Sequence, residues 1–191
     1  MLIASALVLL ALLVLAVAEG LRRTRHAPAP AALGALLAGL LAAAVVATAV
    51  GHQPSGRAGV AAALAALVLA TAGGGVVTVA VFAGVDARGG PPQEPPRTGS
   101  LAAAGQVLRG GAWIGALERV AVFASLAGRW PEGIAVALAL KGLGRYPELR
   151  ADDRAGAAER FIIGTMVSLL WAVGCAYVAL GPALVRLGGR S

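Results

Sequence analysis

Long apolar runs separated by short polar stretches set the rhythm of this chain. The first, residues 2–18, is nearly continuous Leu, Val and Ala and stops at a basic stretch holding Arg22, Arg23 and Arg25. The Ala-Pro-Ala-Pro sequence at 27–30 closes that turn and opens a second run over 31–50. A polar loop at 51–57, containing Pro54, leads to a third run over 58–85. Each approaches the ~20 apolar residues a helix needs to cross hydrocarbon. The third is longer than required and holds Gly73, Gly74 and Gly75, which predicts tilting or a local break.

Residues 86–100 differ from what surrounds them, with Gly89, Gly90, Pro91, Pro92, Pro95 and Pro96 among scattered charges, and read as a linker. Beyond it a fourth helix is predicted over 107–128 and a fifth over 133–146. Trp130-Pro131-Glu132 makes the tight turn between them, and Pro147 ends the fifth. A sixth covers 157–180, and Pro182 begins a short tail. The predicted fold is an all-α, polytopic bundle of about six transmembrane helices. It divides into a three-helix segment at 1–85, the linker at 86–100 and a three-helix module at 101–191.

Composition agrees: 59% of the 191 residues are apolar, while aromatics supply 4%. The net charge of +7 is carried by Arg, fifteen of the sixteen basic residues, and most of them flank apolar runs. No basic block interleaved with aromatics is present, which argues against nucleic acid. With the N-terminus outside, the cytoplasmic loops hold Arg22, Arg23, Arg25, Arg88, Arg97, Arg145, Arg150, Arg154 and Arg160. Arg57, Arg129, Arg186 and Arg190 then lie outside. That imbalance predicts a multi-pass protein of a bacterial cytoplasmic membrane with both termini outside. The first run is expected to be a retained helix and not a signal peptide, because its basic residues follow the apolar stretch and do not precede it. Cys175 is alone, and His26 and His52 lie apart from other ligand types, so no metal site and no cofactor are expected.

Four ionisable residues interrupt the later runs: Glu118 and Arg119 in GAWIGALERVAVFASLAG, and Lys141 and Arg145 in GIAVALALKGLGRY. Measured from the turn at 129–132, Glu118 and Lys141 lie at nearly the same depth, roughly 16–18 Å from that end at 1.5 Å per residue. Antiparallel neighbours should therefore bring a carboxylate and an ammonium together near the middle of a core about 30 Å thick. Arg145 follows Lys141 by four residues and shares its face, whereas Arg119 points about 100° away from Glu118 and needs another partner or a polar cavity. The two charges should cost helix 4 roughly +5 to +7 kcal/mol on insertion, against about −2 to −4 from its apolar residues, so they are expected to face inward. Gly111 and Gly115 are expected to permit a close helix approach. Glu159 stands at the start of helix 6, within reach of Arg145. Thr165 and Ser168 share a face deeper in that helix, where hydroxyls bond their own backbone, join neighbouring helices or touch a solute. Trp113 and Trp130 read as interfacial anchors, and Trp171 and Cys175 as packing residues.

The stretches IGALERV at 114–120, ALKGLGRYPEL at 139–149 and AERFIIGTMVSLL at 158–170 resemble the C-terminal part of a family of uncharacterised bacterial integral membrane proteins. The family pattern is I-G-x-L-E-R, then A-x-K-x-x-x-R-x-x-E-L, then A-E-x-x-x-I-G-T-x-x-S. The resemblance covers residues 111–178. It carries Gly115, Glu118, Arg119, Lys141, Arg145, Glu148, Glu159, Gly164, Thr165 and Ser168. It implies a shared membrane module and no particular reaction. The N-terminal half departs from the family, lacking a His-and-Asp pattern near its start.

Two functional classes lead. In the first, the Glu118–Lys141–Arg145 cluster moves an ion, a proton or a small solute, with Glu118 as the protonatable or ion-binding group. In the second, the charges lock helix register in a structural or assembly subunit with a protein partner or a second copy. An anionic lipid at the basic cytoplasmic rim fits either. An enzyme is disfavoured, since the only carboxylate at depth has basic neighbours.

Overall fold

The protein, seen as a computed structural model, is all-α. The structure describes residues 2–23, 29–51, 56–86, 101–151 and 157–181, with side chains over 3–19, 29–51, 56–86, 111–144, 146 and 158–181. Six helices lie among the described residues: α1 (Leu2–Arg23), α2 (Pro30–Val50), α3 (Gly56–Asp86), α4 (Leu101–Ala127), α5 (Glu132–Ala151) and α6 (Ala157–Leu180). Helices α2, α3 and α6 are long and apolar enough to cross a membrane, and α1 holds a shorter apolar stretch, Ile3–Glu19. The described residues of α4 and α5 form no such stretch.

A long apolar chain in a setting without water favours helices because they satisfy every backbone N–H and C=O internally. At their ends other groups must help. Pro30 starts α2, where its missing N–H costs nothing. Gly181, at φ 65°, closes α6 in the left-handed region. The α4–α5 turn closes less usually, with Arg129 at φ 58° in the position glycine normally takes. Trp130 N–H donates to the Ser125 carbonyl at 2.8 Å and Arg129 N–H to that of Leu126 at 3.1 Å, the crossed pair that ends a helix in a left-handed residue.

Helix α3 is the hub. It packs against α6 and α2 most extensively, and also against α4 and α1, while the main neighbour of α5 is α4. One core therefore serves both three-helix segments: Leu37 of α2, Leu69 of α3 and Cys175 of α6 are fully buried in it, with Val8 and Ala11 of α1 and Val122 and Phe123 of α4. Glycines set the closest approaches. A Cβ on Gly34 of α2 would overlap the Ala80 Cβ of α3, and one on Gly73 would come 2.6 Å from the Trp171 ring of α6.

Four expectations are corrected. Helix α3 runs without a break through Gly73, Gly74 and Gly75, because its neighbours hold this stretch on several sides. It also takes in Asp86; the rest of the linker, residues 87–100, lies outside the described residues. Helix α4 begins at Leu101 rather than near 107. Pro147 does not end α5, which continues to Ala151. A proline this late in a helix removes one hydrogen bond, to the residue four before it, close to an end where bonds are already few.

Candidate functional site

Glu118 and Arg119 of α4 separate into two sites. Helix geometry forces this, since adjacent residues point about 100° apart. Arg119 turns toward α3 and α6 and is only 7% exposed. Its Nε and Nη2 donate to the Thr71 carbonyl of α3 at 3.2 and 2.9 Å, and its Nη1 donates to Ser168 Oγ of α6 at 3.2 Å. A helical carbonyl already bonded to the N–H four residues on can accept from a second donor, because oxygen has two lone pairs. Side chains three and four positions on usually shield such a carbonyl. Here those positions are Gly74 and Gly75, and a Cβ on Gly74 would fall 2.8 Å from Arg119 Nε. Gly73 and Gly74 thus open the α3 backbone to side-chain donors, while a Cβ on Gly75 would meet nothing within 4 Å. Trp171 uses the same opening two residues earlier, its Nε1–H donating to the Leu69 carbonyl at 3.1 Å.

Glu118 faces the other way, toward α5. Its Oε2 accepts from Lys141 Nζ, the pairing expected from equal depth along the hairpin. The two side chains are 18% and 20% exposed, so the pair sits at the edge of the bundle and not in its centre. Lys141 also lies over the Phe161 ring of α6, 5.7 Å from its centroid, which links α5 to α6 through a cation–π contact. Glu118 Oε1 is different. It is fully buried and has no hydrogen-bond partner, and the same is true of Thr165 Oγ1. Both residues line one small cavity of about 20 Å³ together with Arg119, Lys141 and Ser168.

Other candidate residues fall elsewhere. Ser168 joins neighbouring helices, one of its expected roles, and its partner is Arg119. Gly115 makes room for the Arg119 guanidinium of its own helix, with Nη1 3.3 Å from where a Cβ would stand. Among the described residues nothing would lie within 4 Å of a Cβ on Gly111. Gly164 does sit against α3, where a Cβ would lie 3.2 Å from the Phe82 ring. Glu159 is exposed at the start of α6. The side chains of Arg145 and Glu148, and with them any pairing of Arg145 to Glu159, lie outside the described residues, as do His26 and His52. Nearby, Arg160 pairs with Asp86 at the exposed α3–α6 end. Trp113 and Trp130 are both exposed, and Trp171 and Cys175 are buried.

Sequence reasoning missed Thr71. A backbone carbonyl carries no side-chain signature, and the one available signal was the glycine triplet, which fits an opening for a polar partner as well as a helix break. A comparison with protein-family models, with curated proteins and with solved structures gives no match.

Proposed function

We propose that this chain is a six-span protein of a bacterial cytoplasmic membrane, with both termini outside, that moves an ion, a proton or a small solute through the Glu118–Lys141 site. One observation carries the reading. A purely structural ion pair gains most when all its lone pairs are satisfied, since desolvation otherwise outweighs the attraction. Glu118 leaves Oε1 buried and unpartnered beside a small cavity that Arg119, Lys141, Thr165 and Ser168 also line. Arg119, by contrast, is spent on holding α3, α4 and α6 together. Intramembrane ionisable groups that are not so used mark ion and proton pathways by default. Residues 111–178, the stretch that carries the resemblance, contain Glu118, Arg119, Lys141, Thr165 and Ser168, while Thr71 lies outside it.

The second reading, a structural or assembly subunit, is supported by α5. Its main packing is on α4, and Val136, Leu140 and Leu143 stand exposed along it, a face that lipid or a partner subunit would cover. Glu118→Gln separates the two. A transporter keeps its abundance and loses flux in proteoliposomes. A lock loses abundance, and adding Lys141→Gln restores it by removing the uncompensated charge. Loss of abundance with rescue by Lys141→Gln would defeat the transport proposal.

A further inference from the structure

We infer that the ion moved is a proton, delivered to Glu118 Oε1 by a single water seated between that oxygen and Thr165 Oγ1. This rests on the transport reading above and narrows it to one substrate class.

Size comes first. The cavity of about 20 Å³ exceeds the ~10–15 Å³ of centre-accessible volume that one water needs. Its lining then asks for a water. Glu118 Oε1 can only accept, whereas Thr165 Oγ1 can donate or accept. Both are buried without a partner, and a bridging water satisfies both at once.

Coordination selects the ion. The cavity wall holds one carboxylate, Glu118, and two cations, Arg119 and Lys141, and this charge opposes every cation alike. For a metal ion the oxygens are too few. Hard cations take about six or more oxygen ligands, and the side chains here supply Glu118 Oε1, Thr165 Oγ1 and Ser168 Oγ, the last already engaged by Arg119. An anion would meet the bare Oε1 lone pairs. A proton needs no coordination shell, and it bonds to the atom that lacks a partner.

The step balances simply. A protonated water in the cavity loses one O–H bond, an O–H bond forms on Oε1, and the neutral water stays behind. Glu118 becomes a neutral acid, and Lys141 keeps its own proton but loses its counter-charge. The charged groups facing Glu118 among the described side chains are Arg119 on its own helix and Lys141 on α5; α6 presents the hydroxyls of Thr165 and Ser168. With the carboxylate neutral, two cations share the cavity wall. Arg119 is held by three hydrogen bonds, so Lys141, whose partners among the described residues are Glu118 and the Phe161 ring, is the group that moves. The carboxylate is released from its pair each time it is protonated, and recaptured each time it is not.

The test uses the purified full chain in proteoliposomes, with a potassium diffusion potential and a trapped pH dye, and with tracer uptake of sodium, potassium and chloride in parallel. The expected result is proton entry that does not require sodium, lost in Glu118→Gln and slowed at least about tenfold in Thr165→Val, with Thr165→Ser restoring it. Sodium, potassium or chloride uptake in place of protons, or a wild-type rate in a folded Thr165→Val, overturns this inference and leaves transport standing. No flux of any of these ions from the wild-type chain defeats the transport reading and the inference with it. That wild-type arm holds even where a variant does not fold.

Discussion

Gly74 and Gly75 are neighbours in α3 that differ in what a methyl group would meet. On Gly75 a Cβ has nothing within 4 Å, while on Gly74 it would overlap Arg119 Cδ and lie 2.8 Å from its Nε and 3.1 Å from Trp171 Cδ1. Alanine in place of glycine inside a helix is worth roughly 0.5–1 kcal/mol, and both variants gain it. At position 74 the guanidinium arm, which the Cβ overlaps at Cδ, must withdraw by roughly 1.1–1.6 Å to restore an ordinary carbon–carbon contact near 3.5–4.0 Å. It cannot do so and keep its bonds to the Thr71 carbonyl at 2.9 and 3.2 Å. A hydrogen bond to a charged group is worth about 1.5–3 kcal/mol, and overpacking adds about 1–3. Gly74→Ala should therefore lose about 2–4 kcal/mol while Gly75→Ala gains up to about 1. The assay is equilibrium unfolding of the purified chain by titrating an ionic into a mild detergent, followed by circular dichroism and tryptophan fluorescence. In the Arg119→Ala background the Gly74 penalty should shrink, because the overlapping arm is gone. Equal midpoint shifts for the two single variants would refute the claim that Gly74 exists to admit Arg119.

Three further outcomes are expected in the same unfolding assay. Arg129→Gly should stabilise the chain by about 1 kcal/mol, because Arg129 holds a φ of 58° that costs a residue with a Cβ; an unchanged or lower midpoint would show that its side chain compensates. Ser168→Ala removes the acceptor of Arg119 Nη1 and should cost about 1 kcal/mol, the usual scale for polar contacts between helices in membranes. A null effect there would mean that the two bonds to Thr71 suffice. Asp86→Asn breaks the exposed pair with Arg160 and should change stability by less than about 1 kcal/mol, and less still at high salt; a large loss would show that this end of α3 and α6 is closed more tightly than its exposure implies.

The helices and the Glu118–Lys141 pair were legible in the sequence for the same reason: both follow from length along an axis. An apolar run of fixed rise has a fixed span, and a hairpin whose turn is marked by Trp130 and Pro131 places residues equally far from that turn side by side. Errors arose where lateral position or context decided. Gly111 and Gly115 have the spacing of a helix-packing face, yet among the described residues a Cβ on Gly111 would meet nothing within 4 Å and one on Gly115 the guanidinium of its own helix. The triplet at 73–75 is a weak spot in an isolated helix, but packing on α4 and α6 supports it. Arg119 was legible as needing a second partner. Its partner was not, since that is a carbonyl 48 residues away.

Arg119 and Glu118 are adjacent, and this adjacency makes the α3 contact matter for the chemistry at Glu118. Adjacent helical residues point about 100° apart, so Arg119 does not close on the Glu118 carboxylate, whose Oε2 is already taken by Lys141. Both residues nevertheless line the same cavity, so the place where Arg119 is held sets the charge beside the unpartnered Oε1 of Glu118. Its bonds to Thr71 and Ser168 fix that place, and the Thr71 bonds require that Gly74 of α3 carry no side chain. Gly74→Ala should therefore do two things that a lesion remote from the cavity would not. It should destabilise the bundle, and by displacing the Arg119 charge it should also change the flux that depends on Glu118, in the fraction of molecules that still fold.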